Sequence, residues 1–148
     1  MDRKIVESID IEASPERVYA AWTDPEQLVA WWGDDQTYRT TAWENDLQVG
    51  GKWASHGRSA DGNAFSVEGE YLRVDPPKTL SLSWKPSWAP EERTVVELEF
   101  EPTAGGTRLT VRHSGFASDQ ARESHSNGWP RVLSWMRTYV ESKKAVAP

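Results

Sequence analysis

The chain has no cysteine among its 148 residues. Disulfides and thiolate chemistry are excluded, and a zinc site would have to draw on histidine and carboxylate. No apolar run approaches the roughly 20 residues that span a bilayer. The opening MDRKIVESID carries no apolar h-region of a secretory leader. A soluble, cytoplasmic protein is the expectation. Basic stripes are missing too: none is longer than Lys143-Lys144, and the net charge is −6. Nucleic acid and membrane surfaces are therefore not expected partners, because both attract clustered cations. Gly50-Gly51 and Gly105-Gly106 flank strand patterns and read as turns, not as a phosphate-binding loop. The serines beyond residue 113 form no nucleophile elbow.

What the chain has in unusual number is tryptophan, nine in all. Each one singly is best read as core, but together they require a large concave apolar surface. The length suits one domain spanning 1–148, large enough to bury one core without staples.

Residues 4–11 read as a strand. Ser14-Pro15 then opens a helix, with serine as N-cap and proline at the first helical position. Asp24-Pro25-Glu26-Gln27 repeats the signal, with Gln27 placed as in a capping box. From residue 37 the apolar period changes from helical to two. Strands are expected over 37–43, from Lys52, and around Phe65–Tyr71, Leu80–Trp84, Val96–Phe100 and Leu109–His113. Asp61-Gly62 is a hairpin signal between two of them. A final helix is expected from an N-cap near Ser118 to about Lys143. A single-layer sheet must bury its apolar face against something, and only that helix is long enough. The expected fold is α+β: a curved antiparallel sheet of about seven strands around a long C-terminal helix, with two short helices after the first strand.

At about 100° per residue, Trp129, Val132, Leu133, Met136, Tyr139 and Val140 share one arc of the last helix. Arg131, Ser134, Arg137, Thr138 and Glu141 take the solvent side, and Trp135 turns toward the short helices. Gly128 and Pro130 bracket Trp129, and a bend is expected there.

The same order of elements, with its local signatures, resembles the START-related (SRPBCC) helix-grip superfamily of birch-pollen-allergen-like proteins and polyketide cyclases. The matching stretches are Pro15–Tyr19 with Trp22, Leu28 with Trp31-Trp32-Gly33, Asp46–Trp53, Pro76–Leu80 with Trp84, Gly106–Thr110, His113–Phe116, and Gly128-Trp129 with Leu133. Within it the chain looks most like the branch named after the C-terminal domain of the activator of the heat-shock chaperone ATPase. The resemblance implies the helix-grip fold. It does not imply one activity, because such families hold binders, cyclases and proteins with no assigned role. Chaperone activation in that branch depends on a separate N-terminal domain, which has no room ahead of residue 4, so a co-chaperone role is not expected.

Antiparallel strands place every second connection at one end. The Asp61-Gly62 hairpin, the loop at Trp88 and the turn at Phe116 therefore meet where the last helix begins. Phe65, Trp84 and His113 point inward near that end, and His125 and Trp129 face it from the helix. Trp53, Leu133 and Met136 complete a candidate lining, with Trp88, between Pro86 and Pro90, partly exposed at its mouth. An apolar wall with a few polar groups suits a small hydrophobic or aromatic ligand. The plain alternative for His113 is a core imidazole bonded to a backbone carbonyl. His56 falls on the outer face, and Asp34-Asp35 reads as a solvated turn. No inward carboxylate joins the two inward imidazoles, so neither a metal nor another cofactor is expected. Three readings follow: a binder of a small apolar molecule, a cyclase- or hydrolase-like enzyme using His113 or His125 as acid–base, and a protein-interaction module. The first is preferred, in a monomer or a homodimer.

Overall fold

The computed structural model describes residues 4–89, 91–126 and 128–144. Pro90, expected to flank Trp88, lies outside them, as do the side chains of Lys143 and Lys144. The elements run β1 (Ile5–Ile11), α1 (Pro15–Thr23), α2 (Pro25–Trp31), β2 (Tyr38–Asn45), β3 (Lys52–Ser59), β4 (Ala64–Asp75), β5 (Thr79–Pro86), β6 (Thr94–Thr103), β7 (Gly106–Ser114), α3 (Asp119–Ser126) and α4 (Gly128–Lys144). The strands form one seven-stranded sheet in the order β1-β7-β6-β5-β4-β3-β2. Every pairing is antiparallel. Six strands follow one another as a meander, and β1 closes the far edge by pairing with β7.

The period-two pattern translates directly into burial. Leu80, Leu82 and Trp84 on β5, Val96, Leu98 and Phe100 on β6, and Leu109, Val111 and His113 on β7 are all buried. Most of their sequence neighbours are half-buried or exposed, as one solvated sheet face requires, with Thr110 on β7 buried as well. The short helices start as their caps direct. Ser14 Oγ accepts from the Arg17 backbone N–H at 3.3 Å, and Asp24 Oδ1 accepts from that of Glu26 at 3.1 Å. Gln27 does not complete a capping box. Its amide donates to Asp24 Oδ2, because the Asp24 backbone N–H already bonds the Ala20 carbonyl at the end of α1.

The expected single C-terminal helix is two helices, α3 and α4. Ser118 does cap the first, its Oγ accepting from the Ala121 backbone N–H at 3.1 Å. Pro130 then falls in the first turn of α4, where no intrahelical donor is required. Deeper inside one continuous helix its ring would meet the carbonyl four residues back. α4 lies across the sheet with Trp129, Val132, Leu133, Met136 and Val140 buried against it. Arg17 Nη2 donates to the Val140 carbonyl at 3.3 Å and ties α1 to the helix.

Leu133 is 3% exposed and sits in the middle of this contact. Leu133→Ala is expected to lower stability by about 2–5 kcal/mol, read as a shift in the urea midpoint with an unchanged slope. A loss below about 0.5 kcal/mol, the range of ordinary surface substitutions, would place the sheet's apolar face against something other than α4.

Candidate functional site

His113, near the end of β7, is a fully buried polar group, 0% exposed. Its partners define its protonation. The Trp129 indole N–H is donor only, and it points at His113 Nδ1 from 3.1 Å. Nδ1 therefore accepts, and the neutral ring carries its proton on Nε2. Nε2 donates to Thr94 Oγ1 at 2.7 Å, and Thr94 Oγ1 donates to the Trp84 carbonyl at 3.3 Å. A proton on Nδ1 would face the indole N–H head-on. Burial, with a smaller push from His125, lowers the His113 pKa to about 3. The expected core imidazole is present, but its partners are side chains from α4 and β6, not a backbone carbonyl. With both nitrogens engaged and no solvent access, His113 is a poor general base near neutral pH.

Seven of the nine tryptophans pack into one network around this latch. Trp31 stacks on Trp32 at 5.0 Å, and Trp43 on Trp53 at 5.2 Å. Trp22 meets Trp31 edge-on at 5.0 Å, and Trp84 lies 6.1 Å from Trp129. These indoles fill the space between sheet and α4, and the void left among them is about 10 Å³. That is room for no more than one water. An open cavity running beneath α4 is therefore not how the fold uses its concave face.

The open volume lies at the end of the sheet where α3 meets α4, a cleft of about 540 Å³. Five of the candidate residues line it: Phe65, Trp84, Trp88, His125 and Trp129. Trp88 is 58% exposed, and its ring meets Phe65 edge-on at 5.8 Å. Trp53, Leu133 and Met136 are core instead. Trp53 donates its indole N–H to the Ser83 carbonyl at 3.1 Å, away from the cleft. Phe116 packs on His113 and His125, with ring centroids 4.5 and 5.3 Å apart, and acts as their backing. His125 Nδ1 donates to the Ala121 carbonyl at 3.1 Å, one turn back on α3.

The strand pattern did not lead to the other wall. Trp32, Thr37, Tyr38 and Thr40 come from the end of α2 and from β2, and Arg131 from α4. Tyr38 is held by three neighbours: Trp32 Nε1 donates to its hydroxyl at 3.0 Å, and Phe65 and Trp135 meet its ring edge-on. The alternation of Tyr38 and Thr40 was the available signal for this wall. Arg131 had none, since it is exposed as the helical arc predicts and reaches the cleft only because β2 curls toward α4.

A second groove, of about 730 Å³, lies on the solvent face of β2–β5. Glu44, Asp46 and Glu68 line it with Lys52, Lys85 and Arg93. It carries charges of both signs. His56 lies on that face as expected, with Nε2 2.9 Å from Glu44 Oε1. Leu47, Val49 and Leu72 are exposed where the loop after β2 docks on β4. Asp34 forms the expected turn, accepting from the Gln36 and Thr37 backbone N–H groups. Among the described residues no group of three or more His, Asp or Glu comes together as a metal site. No helix of the described residues is long and apolar enough to cross a membrane.

A family model described as activator of Hsp90 ATPase homolog 1-like protein matches residues 12–141. The chain belongs to that family. Solved structures agree on the fold. An AHSA1-like protein from Aeromonas hydrophila is 27% identical, with a TM-score of 0.79 over 95% of this chain and 94% of its own. A Rhodobacter sphaeroides protein is 21% identical, with a TM-score of 0.83 over 97% and 93%. A Nitrosomonas europaea protein is 20% identical, with a TM-score of 0.81 over 95% of each chain. No curated protein matches the sequence.

In this AHSA1-like chain the latch has a consequence for acid stability. His113 is neutral when folded, with its pKa lowered to about 3, whereas an unfolded histidine titrates near 6.5. Below pH 6.5 the unfolded chain binds a proton that the native one does not. Stability should therefore fall as pH drops from about 6.5 toward 3, at up to about 1.4 kcal/mol per pH unit. His113→Gln is expected to be less stable at pH 7 and to have a flatter profile between pH 6.5 and 4, measured by urea unfolding at each pH. Parallel profiles for parent and variant would mean that His113 titrates normally and the latch assignment is wrong.

Proposed function

We propose that the protein binds a small, largely apolar molecule of aromatic character in the cleft between the first turn of α4, β2 and the β3–β4 hairpin. The observation that carries this reading is an open volume of about 540 Å³ walled by Phe65, Trp84, Trp88 and Trp129 in a molecule whose interior is otherwise filled. Small-molecule sites commonly measure roughly 300–1,000 Å³ and combine apolar walls with a few polar groups. Thr37, Ser55, Asn63 and His125 supply those groups. Binding is favoured over catalysis because His113 is sealed in the core and no Asp or Glu among the described residues lines the cleft. Among the described residues His125 is then the one imidazole on the wall.

Trp88 tests the reading with little risk to the fold, since it is more than half exposed. In calorimetric titration with naphthalene-sized aromatic probes, Trp88→Ala is expected to bind about 3- to 10-fold more weakly than the parent. Its melting temperature should stay within a few degrees, as a surface substitution predicts. Equal affinity in parent and variant would remove Trp88 from the site. Failure of every such probe to bind the parent at millimolar concentration would end the binding reading.

A further inference from the structure

The cleft that we read as a ligand site carries one fixed charge on its wall, and that charge is positive. Arg131, in the first turn of α4, lines it, and among the described residues no Asp or Glu does. Against a net charge of −6 this is a local reversal. Arg131 makes no ion pair or hydrogen bond with any described residue, whereas Arg39, Arg108 and Arg112 are each paired with a carboxylate. It is close enough to Tyr38 for its charge to act on the phenol. The Tyr38 hydroxyl accepts the Trp32 indole N–H, and its own proton goes to no described acceptor. Burial raises the Tyr38 pKa, so the phenol keeps that proton at neutral pH. Asp34, the carboxylate whose charge also reaches Tyr38, is engaged by its own loop and by the Trp135 side chain on α4. Its Oδ1 is held by the Thr37 hydroxyl at 2.6 Å and the Thr37 backbone N–H at 2.8 Å.

Two donors with no acceptor among the described residues thus line the same cleft beside an aromatic wall. We propose that the ligand is a carboxylic acid with an aromatic or similarly apolar body, its carboxylate held at the mouth of the cleft by the Arg131 guanidinium and the Tyr38 hydroxyl. The guanidinium fork matches a carboxylate in plane, and such charge-assisted bonds are the strong ones. The body would then lie inward along Phe65, Trp84 and Trp129. This inference rests on the cleft being the binding site and adds the chemical class of its ligand.

A matched pair of probes separates the two claims. 2-Naphthoate and 2-naphthamide share one body and differ in charge. By calorimetry the parent is expected to bind the acid about 10-fold more tightly than the amide. Arg131→Gln, at an exposed position, should bring that ratio close to one, and Tyr38→Phe should reduce it about 3-fold. If both probes bind the parent equally, or if Arg131→Gln keeps the preference, the carboxylate inference falls while the cleft reading stands. If neither probe binds the parent, the cleft reading fails and takes this inference with it.

Discussion

The bond from the Trp129 indole to His113 Nδ1 fixes where α4 sits on the sheet. It joins the helix to β7 inside the core, at 3.1 Å, where water cannot substitute for either partner. A buried donor left unpaired costs about 1–3 kcal/mol, so sliding α4 along the sheet would strand both groups at once. The latch extends through Thr94 to the Trp84 carbonyl and so reaches β6 and β5 as well. Its polarity is set by the indole, which can only donate. That restriction decides the imidazole tautomer, and burial keeps the ring neutral.

With α4 positioned, the tryptophans decide where empty space can exist. Indoles from α1, α2, β2, β3, β5 and α4 converge under the helix and leave almost no void there. Aromatic groups in such clusters prefer tilted and offset contacts, which interlock rather than slide. The fold is often pictured as a sheet gripping a helix around a hollow, but in this chain the grip is solid. The remaining opening is displaced to the end of the sheet, where α3 gives way to α4 and Pro130 makes one continuous helix unfavourable. The cleft is thus a by-product of two constraints, a filled centre and an interrupted helix.

The electrostatics of the cleft differ from those of the chain as a whole. The two-signed outer groove has its charges balanced among neighbouring strands, as at Lys52 and Glu70. Among the described residues the cleft has one cation, several hydroxyls, one side-chain amide and no carboxylate. A net charge of −6 would by itself repel anions. The proposed recognition of an anion would therefore depend on short-range contacts and not on long-range steering.

Much of the fold was legible because it rests on local rules. Alternation between Leu80 and Trp84 or between Val96 and Phe100 reports a half-buried strand whatever it pairs with, and Ser14-Pro15 and Asp24-Pro25 start helices through bonds within a single turn. The inward set of α4 followed from its period, and the end of the sheet where aromatics converge followed from alternating strand direction. The site was only half legible. Phe65, Trp84, Trp88, His125 and Trp129 could be placed at that end by strand direction, but Leu133 and Met136 point the same way and are core, because how deeply the indoles fill the centre is a property of packing. The division of His113 from His125 was also out of reach. It turns on Thr94 and Trp129, 19 and 16 residues away, and on a hydrogen-bond direction that no spacing encodes. Arg131 is the clearest case. Helical period alone makes it a solvated arginine, and only the curl of β2 toward α4 makes it part of a cleft. What the sequence by itself determined is which residues are strand, helix, cap and core, since those depend on neighbours a few positions away. What the tertiary structure decided is which polar groups end up facing one another, since that depends on how distant segments pack.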